Sequence, residues 1–275
     1  MVCKVFGIHP KSIYKTPKTQ QGGTVLRFYT KKEDPEILSQ IKEVIKIRPT
    51  YGYKRVTAMV NIKRKVIFLS KINKKRISRV MKKFGLMLPK TKKIRTHKPT
   101  GKVMTLHPNT RWCSDCFEIK CFNGEKVFVS FSLDTCDREA ISFIAKDRPI
   151  LAADIQALML DSVEKRFSNT RAPRQIEWLT DRGSIYRAYN VQALGRELNL
   201  KCCYTASYSP ESNGMAEAFV GTIKRDYVYV SDCYSAKDVL EMLPGWFKDY
   251  NEVAPHSALG MKSPTEYKQI LVNKR

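Results

Sequence analysis

The amino-acid sequence predicts an α/β protein preceded by a small, strongly basic helical region. Three observations carry that prediction. Apolar residues between 111 and 250 switch between period-two and helical spacing, those between 34 and 84 keep helical spacing, and the charge is unevenly divided. The chain of 275 residues has 50 Lys and Arg against 26 Asp and Glu, a formal net charge of +24. Residues 1–110 hold 28 Lys and Arg and 4 Asp and Glu, whereas 111–275 hold 22 of each, so the whole excess lies in the first part. Such a balance points to nucleic acid. The length allows roughly two domains, expected as a basic N-terminal segment (1–33), a helical DNA-binding domain (34–88), a basic linker (89–108) and a core (109–270).

The elements follow in order. Phe6 to Tyr14 reads either as the second half of a helix-turn-helix or as an ordinary basic terminus. Asp34 is placed as the N-cap of a helix with Pro35 at its first position and Leu38, Ile41, Val44 and Ile45 on one face. Thr50-Tyr51-Gly52-Tyr53 breaks it, and a second short helix carries Val56, Met59 and Val60. Past the apolar Val66-Ile67-Phe68-Leu69, Asn73 caps a third helix with Ile77, Val80, Met81 and Phe84 inward and Gly85 ending it. Its outer face presents Lys74, Lys75, Arg76, Arg79, Lys82 and Lys83. With few acids to pair them, these six are assigned to DNA phosphates, against the alternative of a solvated basic face.

In the second part, strands are predicted at 111–122, 125–135 and 139–146, with Asn123-Gly124 as a hairpin turn. A helix at 153–167 buries Ile155, Leu158, Met159 and Val163. A strand at 176–180, a helix at about 190–199 and a short strand at 201–205 follow, and helices at 213–228 and 236–250 close the chain. Periodicity alone says α/β.

Three acids stand out. Asp115 lies in Arg111-Trp112-Cys113-Ser114-Asp115, ahead of the alternating run to Phe122. Asp181 ends the apolar stretch from Ile176, and Glu217 opens a run of helical spacing, with thirty-five residues between it and Asp181. Carboxylates are hard ligands for Mg²⁺, and phosphodiester transfer needs one oxygen activated and another stabilised, which two ions roughly 3.5–4 Å apart can do. Glu118 falls on the opposite face of the strand from Asp115. Asp134 and Asp137 read as turn caps or ion-pair partners, with Asp134 retained as a lesser candidate for the site, and Asp226 turns to the far side of its helix. Lys224, seven residues after Glu217, falls on the same helical face about 10 Å further along, placed to hold a DNA phosphate. Cys113 and Cys116, with His97 and His107 upstream, suggest zinc by type but not by spacing, so no zinc is expected. No stretch reaches the roughly 20 apolar residues of a membrane helix, which leads us to expect a soluble, cytoplasmic protein with reduced thiols and no membrane partner.

The segments Trp112-Cys113-Ser114-Asp115, Trp178-Leu179-Thr180-Asp181-Arg182-Gly183-Ser184, Ser209-Pro210-Glu211-Ser212-Asn213-Gly214-Met215-Ala216-Glu217 and Pro255-His256-Ser257-Ala258-Leu259-Gly260 resemble the OrfB-type DDE transposases of bacterial insertion sequences. The likeness is to the IS-three family and its IS-two-like subgroup, over about residues 35 to 270. It implies a ribonuclease-H-like, retroviral-integrase-like catalytic core with a mixed five-stranded sheet, behind a helix-turn-helix-like domain. It also implies Asp115, Asp181 and Glu217 as catalytic metal ligands for two Mg²⁺ ions; whether Mn²⁺ can replace them is left open by the sequence. A basic residue at Lys224 is a further feature of that family. Arg182 departs from its pattern, which usually has a small polar residue there. The implied partners are double-stranded DNA, as terminal inverted repeats and as target, further copies of the chain, and a segment fused from an upstream reading frame. The resulting expectation is a transposase that cuts and joins DNA. A nuclease of the same fold and an inactive or incomplete DNA-binding regulator are the alternatives.

Overall fold

The computed structural model describes residues 31–89, 105–205 and 214–273. The stretch Phe6–Tyr14, the linker from 90 to 104 with His97, and the loop Ser209–Asn213 lie outside the described residues.

The basic region folds into helices α1 (Asp34–Ile47), α2 (Tyr53–Val66) and α3 (Lys74–Lys83). Their apolar stripes meet in one cluster that includes Ile41, Tyr51, Val56, Ile77, Val80 and Met81. Asn73 caps α3 as its sequence suggests, accepting from the Lys75 amide at 2.9 Å. Three details differ from the expectation. Glu33 holds the N-cap position of α1, while the Asp34 carboxylate is buried and accepts from Arg76 and Arg79. The second helix runs 14 residues, taking in Val66 from the apolar run. Phe84, placed inward by spacing, follows the end of α3 and is 45% exposed. It lies one residue past the last helical turn, so helical periodicity no longer fixes its direction.

The core is a five-stranded sheet in the order β3-β2-β1-β4-β5. Its strands are β1 (Arg111–Lys120), β2 (Lys126–Asp134), β3 (Ala140–Lys146), β4 (Ile176–Thr180) and β5 (Leu200–Tyr204). The first three run antiparallel, and β4 and β5 join in parallel. The β1–β2 hairpin turns at Asn123-Gly124, where Gly124 takes φ 90°, a left-handed value open to glycine at little cost. The Asn123 side chain accepts from the Glu125 amide at 3.0 Å. Helices α4 (Ala152–Phe167), α5 (Ser184–Arg187) and α6 (Tyr189–Glu197) follow β3 and β4, and α7 (Gly214–Asp226), α8 (Ala236–Glu252) and α9 (Pro264–Val272) follow β5. One sheet face packs on α7 and α8 through Phe131, Phe219, Val239 and Phe247, and the other on α4 and α6 through Trp112, Leu158, Trp178 and Val191. This is a mixed α/β fold of the ribonuclease-H-like kind. Helices α5 and α9 lie outside the predicted set. The second had a readable signal, because Ser263-Pro264-Thr265-Glu266 forms a capping box with proline in the first turn.

Two ionic junctions shape the molecule. Arg166, 3% exposed at its side chain, holds Asp134, Asp137 and Glu139, and Glu139 also pairs with Lys268 of α9. Asp134 accepts in addition from the amides of Asn109 and Cys136 at 2.7 Å. It is committed to this network, which removes it from the candidates for the site. The turn between α1 and α2 docks on the core within one compact unit spanning Glu33–Arg275. There Arg48 pairs with Asp249, and Arg55 and Thr50 both donate to Asp226 at 2.5 Å. Among the described residues no helix is long and apolar enough to cross a membrane.

Candidate active site

Strands β1 and β4 pair only over Arg111↔Glu177, Trp112↔Trp178 and Cys113↔Leu179, and then part. Continued by two positions, the same register sets Asp115 opposite Asp181. The fork between two parallel strands is where α/β sheets leave a crevice. The paired tryptophans set the spacing: Trp112 and Trp178 are buried on one sheet face with their rings 6.4 Å apart, and each precedes its aspartate by three residues. On a strand a three-residue step changes face. The aspartates therefore project to the side of Cys113, Phe117 and Leu179, on which α7 packs. Glu217 is in the first turn of α7 and exposed.

Electrostatics tie the three acids together. Asp115 is half-buried, and its pKa is pushed up to about 6, chiefly by burial and further by the negative charges of Asp181 and Glu217, against the Cys116 amide that donates to it at 2.8 Å. No cationic side chain is among the groups that shift it. Asp181 is exposed, and its Oδ1 accepts from the Gly183 amide at 3.0 Å. A Cβ at 183 would stand 3.1 Å from that same oxygen, a tight contact that the exposed Asp181 side chain would have to ease. Sequence reading quoted Gly183 in a motif without giving it a role, although Asp-x-Gly is the signature of a side chain folded back on its own turn. Among the described residues no group of three or more His, Cys, Asp and Glu side chains is closed tightly enough to cage a metal ion.

The remaining predicted residues divide. Lys224 lies further along α7 with its Nζ 5.8 Å from the centre of the Phe117 ring, two positions beyond Asp115 on the same strand face. It borders a cleft of about 520 Å³ together with Lys120, Phe122 and Tyr229. On α3, Lys74, Lys75, Lys82 and Lys83 are exposed. Arg76 and Arg79 are not on an unpaired outer face, as the shortage of acids had suggested: Arg76 pairs with Glu33 and Asp34, and Arg79 with Asp34. The few acids of this region sit where these two arginines can reach them. Glu118 pairs with Lys126 at 3.2 Å. Cys113 and Cys116 pack into the cores on opposite sheet faces and cannot ligate one ion together. Arg182 donates to the Thr205 carbonyl at 3.1 Å, tying the turn after β4 to the end of β5.

Comparison with known proteins places this geometry. Residues 105–210 and 198–264 match two families described as integrase core domains, and residues 32–94 match an HTH-like domain. The chain is 42% identical over 239 residues to the transposase InsD for insertion element IS2A/D/F/H/I/K of Escherichia coli, covering 86% of this chain and 79% of that one. Transposase InsD for insertion element IS2-9 of Escherichia coli gives the same identity over 86% of this chain and 77% of its own. Among solved structures, a chain of the simian T-cell lymphotropic virus intasome in complex with PP2A regulatory subunit B56 gamma superposes with a TM-score of 0.50 at 14% identity, covering 83% of this chain and 73% of that one. That is a likeness of fold. With sequence identity extending over most of both chains, this protein belongs to the IS-three family of insertion-sequence transposases, alongside the InsD transposases of IS2.

Proposed function

We propose that the protein is a transposase that binds the ends of its insertion element, cleaves a DNA strand there and joins the freed end to target DNA, with Asp115, Asp181 and Glu217 as its catalytic carboxylates. The observation that carries this reading is the register of β1 and β4, which sets Asp115 opposite Asp181 where the strands part, beneath the helix bearing Glu217.

The donor set fits divalent ions. It consists of hard carboxylate oxygens, partly dehydrated at Asp115, which no cationic side chain offsets. We assign Asp115, Asp181 and Glu217 as the ligands of two Mg²⁺ ions, with Mn²⁺ as a substitute. When bound, such ions activate the attacking oxygen and stabilise the leaving oxygen of a phosphodiester. Asp115 is held by its strand and the Cys116 amide, so its oxygens are fixed. Glu217, exposed at the start of α7, can swing towards it. Lys224 neutralises a phosphate of the DNA end, and Lys74, Lys75, Lys82 and Lys83 meet the backbone of the flanking duplex, with Arg76 and Arg79 holding their helix in place. A single fork cannot hold two element ends, so the working form is a homo-oligomer on paired ends, acting in the bacterial cytoplasm.

The test is cleavage and joining of labelled DNA carrying the ends that flank the gene, in Mg²⁺, for wild type and Asp181→Asn. Products joining two DNAs that vanish in the variant, while end binding persists, are expected. Joined products at wild-type yield in Asp181→Asn would refute the assignment, and hydrolysis without joining would leave only a nuclease.

A further inference from the structure

A second cleft lies where the turn before α2 meets the C-terminal part of the core. It encloses about 460 Å³ and is lined by Lys54, Arg55, Thr222, Arg225, His256 and Ser257 among others, with no acidic residue on its wall. Two motifs that catalysis does not use meet here. The turn at Thr50-Tyr51-Gly52-Tyr53 delivers Lys54 and Arg55, and Pro255-His256-Ser257 contributes a ring and a hydroxyl.

The charge balance in this cleft is positive. Arg55 and Arg225 share one buried carboxylate, Asp226, at 2.5 and 2.7 Å, and Thr50 donates to it as well. Two guanidiniums against one carboxylate leave one positive charge over. Lys54, exposed and in no ion pair among the described residues, adds a second. His256 adds none, because burial holds its imidazole neutral with a pKa near 4. A volume of this size takes a nucleotide-sized group, within the roughly 300–1,000 Å³ of small-ligand sites, rather than a lone small ion. The cleft also shares helix α7 with the proposed active site. Thr222 and Arg225 stand on α7 five and eight residues after Glu217, roughly 7.5 and 12 Å along the axis at 1.5 Å per residue.

We infer that this cleft binds a backbone phosphodiester of DNA, held at once by the helix-turn-helix-like region through Lys54 and Arg55 and by the core through Arg225 and Ser257. The inference deepens the function proposed above and rests on it. A phosphate seated there fixes the DNA that the helical region grips at a set distance along α7 from Glu217, which links recognition of the element end to its delivery into the fork. Recognition and positioning then share one contact.

The experiment uses the full chain and element-end DNA, with binding measured against salt concentration in EDTA so that catalysis plays no part. Lys54→Gln is expected to lower the slope of log affinity against log salt by about one unit, and Lys54→Arg to restore it. Thr222→Glu, which puts a negative charge into the cleft without touching Asp226, should weaken binding to every DNA tested by roughly tenfold or more. Melting temperatures equal to wild type show that both variants are folded. A neutral methylphosphonate at the contacted position should reproduce the Lys54→Gln loss in wild type and add nothing in the variant. Unchanged salt slopes in both folded variants overturn the inference, and so does stabilisation by inorganic phosphate alone with DNA binding unaltered. Either result leaves the catalytic reading to the Asp181→Asn assay, which fails or succeeds on its own.

Discussion

Two trios of acids in this molecule are built from the same side chains and differ in whether cations pair with them. Asp134, Asp137 and Glu139 surround Arg166, which is almost fully buried, and Lys268 completes the set. Two cations thus answer three carboxylates from within, although burial and the neighbouring Asp137 still push the Asp134 pKa up to about 6. Asp115, Asp181 and Glu217 gather at the β1–β4 fork with no basic residue to balance Asp115, whose pKa the charges of the other two help to raise. Carboxylates that fold the chain bring their own counter-charge; those that await a ligand leave it to be supplied. The same contrast divides the basic residues of α3. Arg76 and Arg79 are drawn into pairs with Glu33 and Asp34, while Lys74, Lys75 and Lys82 face solvent.

The comparison can be broken at either trio. The largest effect on stability is expected from Arg166→Leu, which strands Asp134 and Asp137 and leaves Glu139 to Lys268: a loss of about 3–5 kcal/mol, read as a lowered urea midpoint. At the other trio, Asp115→Asn should leave the urea midpoint close to wild type or raise it, because it removes one of three repelling charges. If Asp115→Asn destabilised as much as Arg166→Leu, the distinction between the trios would collapse. Added Mg²⁺ should sharpen it. Saturating ion at 100 times its Kd stabilises wild type by about 2.7 kcal/mol, and Asp115→Asn by far less, as a shift in melting temperature. Equal shifts in both would move the ions elsewhere.

A smaller effect is expected at Gly183. Alanine there keeps the amide that donates to Asp181 but sets a methyl group 3.1 Å from its carboxylate, which must shift slightly, so joining activity should fall only modestly, with the melting temperature unchanged. Retained activity would show that Asp181 needs no fixed orientation. The smallest effect concerns His256, whose imidazole lies edge-on to Tyr250 with ring centres 4.5 Å apart. Burial lowers its pKa from 6.5 to about 4, so the folded state favours the neutral ring. Its contribution is therefore complete above pH 6.5 and declines as pH falls from there towards 4. His256→Gln should flatten the stability profile in that window, and an unchanged profile would assign the acid sensitivity to other groups.

Much of this was legible in the chain. Helices α1 to α4, the three antiparallel strands and the Asn123-Gly124 turn announce themselves through periodicity, caps and a glycine, all local properties. The three acids were legible through their segments, and the repeated spacing of Trp112 to Asp115 and Trp178 to Asp181 carried, unread, the register that pairs them. The pairing of Arg76 and Arg79 was not legible, since it depends on how α1 meets α3. Nor was the cleft at Lys54, whose walls come from residues about 170 to 200 positions apart.

The sequence by itself determined the element types, the split between a basic and a balanced part, and which carboxylates belong to strands, strand ends and helix starts. Those follow from interactions within a few residues of each position. Only the tertiary structure decided which charges are cancelled internally and which are left for a ligand. That outcome depends on distances between elements remote in sequence and on how far burial removes each group from water, and neither quantity is a property of a residue or its neighbours along the chain.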